Sequence, residues 1–226
     1  LGLRIALLRV GYARSGFESE PNPRQARFIE ADSEVFLDRV INLRRDLAEL
    51  AGQAWVGVAP HSVRAAPLNY LKEVVSFGNE LALPIHMHVA EQPAEVSACI
   101  EEYGRSPVAL LETEGLLSER FTGVHMIHIT PKAAGMLSHA RAMVCACPTT
   151  ERNLGDGIAP VDTFFREDVR VSLGTDSQIQ IDLLEDAREL EYHLRLQKVE
   201  RVVLADRERA GQSELASKLF DCATIN

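Results

Sequence analysis

The sequence predicts an α/β fold in which parallel strands are covered by helices, and three observations predict it. Short apolar runs and longer amphipathic stretches alternate six times along the 226 residues. The apolar runs are far apart in sequence, the pattern of parallel strands with helices packed over them. Nearly every unusual polar residue stands at or just after the carboxyl end of one of these runs. The alternation alone leaves a doubly wound sheet and an eight-stranded barrel both open. The polar termini favour a TIM-type (β/α)8 barrel, which draws its site from the ends of several strands, whereas an open sheet gathers ligands at one switch point.

Leu1 to Tyr12 (LGLRIALLRVGY) is apolar and strand-like, and a polar loop rich in Gly and Pro follows it. Asp32 or Ser33 can cap a helix whose stripe is Phe36, Leu37, Val40, Ile41, Leu43, Leu47 and Leu50. Trp55 to Ala59 is a short buried strand that ends at Pro60, His61 and Arg64. Pro67 suits a helix first turn, with Leu68, Leu71, Val74 and Val75 on the inner face. Leu83 to His88 is the next strand, and a helical pattern runs from about Ala94 to Leu111, interrupted near Gly104. Phe121 to Ile129 is a strand followed by a short helix from Pro131. Ala142 to Cys147 is a strand that runs into PTTERNLGDGIAP, and Val169 to Leu173 ends in GTDSQ. A long helix then carries Leu183, Ala187, Leu190 and Leu194 on one side.

A chain that is 46% apolar and 25% charged has the composition of an ordinary globular protein, long enough for a sizeable core. The net charge of −9, without a basic stripe or interleaved aromatics, argues against a nucleic-acid partner. It leaves an anionic substrate possible, because binding depends on the local field in a cleft. No apolar run approaches the roughly 20 residues of a membrane-spanning helix. The four cysteines show neither C-x-x-C spacing nor a disulfide framework, so a reducing cytoplasm is the expected location. Cys145 and Cys147 share a strand face and are read as small buried residues.

The chemistry centres on LPIHMHVAEQ, Leu83 to Gln92. Strand alternation puts His86 and His88 on one face, and Glu91 follows where the strand gives way to a loop. A His and a Glu there suit a metal ligand beside a proton shuttle. The strand-end set is His61 and Arg64, His88 and Glu91, His125 and His128, Asn153, and Asp176. Singly, each has a bland reading: a lone strand His is more often a hydrogen-bonded core residue, and Asp176 after Gly-Thr could cap a helix. His128, His139 and His193 stay on that side, the last two in helical, exposed segments. Together, His88, His125 and Asp176 end three different strands and can converge on one metal.

HVAEQ, VHMIH, CPTTERNLGDG and GTDS, taken with APHSVRA and the LEYHLRL helix, resemble the amidohydrolase superfamily. Within it they are most similar to the mononuclear deiminases that act on formimidoylglutamate. The resemblance implies that His88 is the metal ligand of the fifth barrel strand and Glu91 the proton shuttle. It implies that His125, ending the sixth strand, polarises the attacking water or the substrate. Asp176, from the eighth, would be both ligand and base, with His61 and Arg64 binding substrate. Arg24 and Arg27 are further candidates for substrate binding. The one divalent metal is expected to be Zn2+, which suits His and carboxylate ligands. Where these deiminases carry His after the last strand, this chain has Gln178.

The superfamily also ligates its metal through an H-x-H on the first barrel strand. His86-Met87-His88 cannot be that motif, because only two strands lie between it and the strand bearing Asp176. His86 is therefore expected as barrel filling. The expectation is one partial barrel over residues 1–226, about strands three to eight, with the first-strand H-x-H region and the flanking small β-domain absent from this sequence. The implied reaction is metal-dependent deimination of N-formimidoyl-L-glutamate to N-formyl-L-glutamate and ammonia, as in histidine degradation. A guanine deaminase or aminotriazine hydrolase type, acting on a ring, is the alternative. A catalytically inert barrel fragment lacking half its metal ligands is the alternative of a different class. The expected partners are a small anionic substrate and a homodimer, with no nucleic acid and no membrane.

Overall fold

The computed structural model describes residues 2–17, 19–20, 22–50, 52–205 and 213–226. Its six strands are β1 (Ile5–Gly11), β2 (Ala54–Pro60), β3 (Ile85–Val89), β4 (Phe121–His125), β5 (Met143–Ala146) and β6 (Val171–Leu173). They form one sheet whose neighbours follow sequence order from β1 to β6. A doubly wound sheet reverses its order at a switch point. No reversal occurs here, which removes that alternative and leaves six β-strands of a (β/α)8 barrel wall. The chain divides into two compact units, one of residues 1–89 and 94–122, the other of residues 90–93 and 123–226.

In the first unit, β1 and β2 pair in parallel from Ile5 opposite Ala54 to Gly11 opposite Pro60, and β2 pairs with β3 at Val58 and Ile85. Leu1, placed in this strand by the sequence, lies outside the described residues, as do Glu18 and Pro21 of the following loop. Helix α1 (Ser33–Asp46) starts at Asp32, whose side chain accepts from the Glu34 N–H. Only Phe36 and Val40 of its predicted stripe are fully buried, while Ile41 and Leu50 are about half exposed. Position 41 lies well off the face shared by 36, 40, 43 and 47, and α1 ends before Leu50. Helix α2 (Leu68–Glu80) buries Tyr70, Leu71, Val74 and Val75. On β3, Ile85, Met87 and Val89 are buried, and His86 and His88 take the opposite face. The helical pattern after it is two helices, α3 (Pro93–Tyr103) and α4 (Pro107–Thr113), broken at Gly104 with a φ of +69°.

In the second unit, β5 and β6 pair in parallel from Val144 opposite Val171 to Ala146 opposite Leu173. β4 stops at His125 rather than continuing to Ile129, because His125 and Met126 both take left-handed φ values, +72° and +52°. Helix α5 (Pro131–Ala140) is capped by the Thr130 hydroxyl, which accepts from the Ala133 N–H. The segment after β5 is helical: α6 (Pro148–Leu154) begins on proline and ends at Gly155 with φ +74°. Asn153 therefore lies in the last turn of α6 and is exposed, so it leaves the strand-end set. Then come α7 (Val161–Arg166), α8 (Leu183–Lys198) and α9 (Ser213–Thr224). Asp186 of α8 accepts from both the N–H and the hydroxyl of Thr149, at 3.1 and 2.9 Å, which ties α8 to the start of α6. His193 is half-buried rather than exposed, its Nε2 2.5 Å from Glu189 one turn earlier on α8.

Candidate active site

Three sequence-predicted residues come together in the second unit. His125 ends β4 with its side chain fully buried, and its Nε2 lies 3.8 Å from Glu91 Oε1 and 3.8 Å from Asp176 Oδ2. Both separations exceed a hydrogen bond but keep the two carboxylates electrostatically coupled to the ring. The local backbone is strained at the same places: Ala90, His125, Met126 and Asp176 all have positive φ, between +45° and +72°. Non-glycine residues hold such conformations only where the surroundings over-determine them, and such positions cluster at functional sites.

Neither Glu151 nor the surroundings of Cys147 were assigned a role from sequence. Glu151 is buried on α6, and its Oε1 stands 3.2 Å from His125 Nδ1 while accepting from the Cys147 N–H at 2.8 Å. The available signal was a Glu in the first turn of a helix that starts C-P-T-T-E, where such a side chain reaches back to cap the N-terminus. Burial pulls the His125 imidazole down, but the hydrogen bond and charge of Glu151, followed by Glu91 and Asp176, outweigh it, and the net shift is upward. The donor atoms of His125, Cys147 and Glu151 lie within 4.8 Å of one another. We read this trio as a hydrogen-bonded array rather than a metal cage. Its carboxylate oxygen already serves the Cys147 N–H, and the hydrogen bond with Cys145, then burial, push the Cys147 thiol far above its ordinary value. Thr150 and Ser177 add a hydroxyl pair at 2.9 Å that ties the loop after β6 to α6. His128 Nε2 donates to the Asp156 carbonyl at 2.7 Å, the hydrogen-bonded role the sequence anticipated for it.

The first unit carries the other predicted residues. The His61 carbonyl accepts from both the backbone N–H and the ring Nδ1 of His88, each at 2.9 Å. The two rings stack with centroids 4.5 Å apart, and the Tyr12 ring centroid lies 4.2 Å from that of His61. A carbonyl on Nδ1 fixes the tautomer and turns Nε2 outward, the arrangement of a metal-ligating histidine. Burial, and then the charge of His88, lower the His86 pKa, in keeping with a neutral filling residue. Arg64 pairs with the buried Glu95 on α3, Nε to Oε2 at 3.8 Å. Arg14 holds the same turn from the other side, donating to the carbonyls of Arg64 and Val63 at 2.8 and 3.1 Å.

A strand-ordered α/β wall whose strand ends carry His, Asp and Glu defines a class: (β/α)8-type barrel proteins with a polar site at the strand ends. The amidohydrolase family model matches residues 1–226, and the chain belongs to that family. It is 34% identical over 223 residues to the formimidoylglutamate deiminase of Pseudomonas aeruginosa, covering 98% of this chain and 48% of that protein. It is 33% identical over 146 residues to the 5-methylthioadenosine/S-adenosylhomocysteine deaminase of Nitratidesulfovibrio vulgaris (strain DP4), covering 65% of this chain and 33% of that one. Among solved structures it resembles an amidohydrolase from Brucella melitensis, with a TM-score of 0.89 at 36% identity, covering 98% of this chain and 48% of the other. The chain thus spans about a third to a half of the length of these relatives.

Proposed function

We propose that this chain forms part of the catalytic barrel of a metal-dependent deiminase that hydrolyses N-formimidoyl-L-glutamate to N-formyl-L-glutamate and ammonia. The convergence of Glu91 and Asp176 on His125 Nε2 is the observation that carries the reading, because two carboxylates beside one imidazole are what a proton shuttle and a ligand-type carboxylate require. By the family resemblance, His88 and Asp176 are the residues that would hold the divalent metal. Their imidazole nitrogen and carboxylate oxygen suit Zn2+, and the carbonyl on His88 Nδ1 leaves Nε2 as the ligand atom. When bound, such an ion supplies Lewis acidity and makes water acidic enough to react near neutral pH.

The residues of this chain do the rest. Glu91 takes the proton of the attacking water and returns it to the imino nitrogen of the formimidoyl group. The C–O bond forms first. Asp176 then takes the second proton from the added hydroxyl as the carbonyl forms, and that proton passes to the leaving nitrogen. The C–N bond breaks and ammonia leaves. His125 polarises the water or the substrate through Nε2, and Asp176 serves as a second base. Arg64 and His61 bind the substrate, the guanidinium pairing with a carboxylate. The similarity to the P. aeruginosa deiminase over 98% of the chain supports this substrate, and the likeness to the N. vulgaris deaminase keeps a ring substrate as the second reading.

Two measurements on the purified chain test the proposal. Metal analysis is expected to find about one zinc per chain. Ammonia release is expected from N-formimidoyl-L-glutamate and not from guanine. Release from guanine alone would move the assignment to a ring deaminase. Metal-free protein that releases no ammonia from either would favour the inert reading.

A further inference from the structure

We propose that Glu151 is a positioning residue that holds His125 in the Nδ1–H tautomer, so that Nε2 is the ring nitrogen presented to Glu91 and Asp176. This deepens the hydrolase reading and rests on it only for its catalytic consequence. A carboxylate is acceptor-only, so the ring nitrogen it meets must carry a hydrogen. Glu151 Oε1 meets Nδ1 at 3.2 Å, and Nε2 alone faces the other two carboxylates, each at 3.8 Å.

The orienting group is itself fixed. Glu151 is 2% exposed, its Oε1 is anchored by the Cys147 N–H at 2.8 Å, and α6 starts directly at Pro148, leaving little slack between anchor and ring. His125 is fully buried on a left-handed backbone, which restricts the ring from the other side. A buried carboxylate behind a histidine keeps both tautomer and ring orientation, and the opposite tautomer is the wrong one for any proton traffic at Nε2.

The test is 15N NMR of the histidine rings on the 226-residue chain as purified, recorded above the imidazole pKa, together with kinetics. Wild-type His125 is expected to show a protonated Nδ1 and an unprotonated Nε2. Glu151→Leu, which removes the acceptor at similar volume, is expected to shift the ring toward the Nε2–H tautomer. It is also expected to lower kcat by about 10- to 100-fold, the usual cost of losing such a partner, with KM little changed. Glu151→Gln keeps an oxygen that can accept from both donors and is expected to restore most of the tautomer bias. An Nε2–H tautomer in the wild type overturns the proposal, and that spectrum alone decides if the leucine variant fails to fold. A leucine variant that folds with its His125 tautomer unchanged also overturns it, reducing Glu151 to a helix cap. The ring spectrum does not depend on the substrate. Failed ammonia release with the predicted tautomer would therefore count against the deiminase assignment and not against this residue's role.

Discussion

His88 is bound twice by one atom of His61, its backbone N–H and its Nδ1 both donating to the same carbonyl at 2.9 Å. The carbonyl belongs to the backbone and survives replacement of the His61 side chain. His61→Ala is therefore expected to keep stoichiometric zinc, whereas His88→Ala is expected to lose it. Metal content by elemental analysis after dialysis separates the two. Loss of zinc in both variants would show that the stacked His61 ring, not its carbonyl, holds His88 in place.

Glu91 is given a proton-shuttle role rather than a ligand role. Glu91→Gln is expected to lower kcat by roughly 10²- to 10⁴-fold, the range of general acid–base contributions, while zinc content stays at the wild-type level. A variant that loses zinc together with activity would place Glu91 among the ligands.

Arg64 is the discriminator between an anionic and a neutral substrate. Arg64→Ala is expected to raise KM for formimidoylglutamate by about tenfold or more, the size of one lost charged contact. Steady-state kinetics of ammonia release measures it. An unchanged KM counts heavily against the acidic substrate.

Gly57 sits where β2 passes closest to the residue before β3. A Cβ there would stand 2.5 Å from Leu8 Cδ2 and 2.9 Å from the Pro84 carbonyl oxygen, the same oxygen that accepts from the Val58 N–H at 2.9 Å. Replacing a strand glycine with alanine normally gains about 0.5–1 kcal/mol of backbone entropy. Overpacking against a backbone atom costs about 1–3 kcal/mol, so Gly57→Ala is expected to be destabilising. A urea midpoint equal to or above wild type would show that the two strands can spread without loss.

Stability above pH 9 is expected to depend on Cys99. Burial, then the carboxylates of Glu95 and Glu102, push its thiol from an ordinary 9.0 up to about 12. Through that interval the unfolded chain has released a proton that the folded chain retains. The contribution is thus fully present below the ordinary value and is lost as pH rises toward about 12. Urea midpoints at about pH 8 and about pH 11 should fall more steeply in wild type than in Cys99→Ala. Parallel slopes would remove Cys99 from the account.

Much of this was legible in the sequence because it is local. Short apolar runs separated by amphipathic stretches depend on neighbours a few residues away, and Asp32, Pro67 and Pro131 mark helix starts by their own chemistry. The polar residues that end strands could be named one by one for the same reason, including His88, Glu91, His125 and Asp176. Strand lengths were less legible. The end of β4 at His125 depends on two left-handed residues that no composition rule places. The helix α6 was hidden in a stretch rich in Thr, Gly and Asp, and it moved Asn153 out of the site.

What the sequence determined by itself, then, is the α/β alternation, the family's motifs and the identity of the polar strand ends. Three things were decided only by the tertiary structure: the unreversed strand order, the convergence of Glu91 and Asp176 on His125, and the carboxylate of Glu151 behind that ring. The reason is physical. Periodicity and capping are set by residues within a turn or two of each other, whereas Glu151 and His125 are 26 positions apart and meet only because packing closes the chain between them.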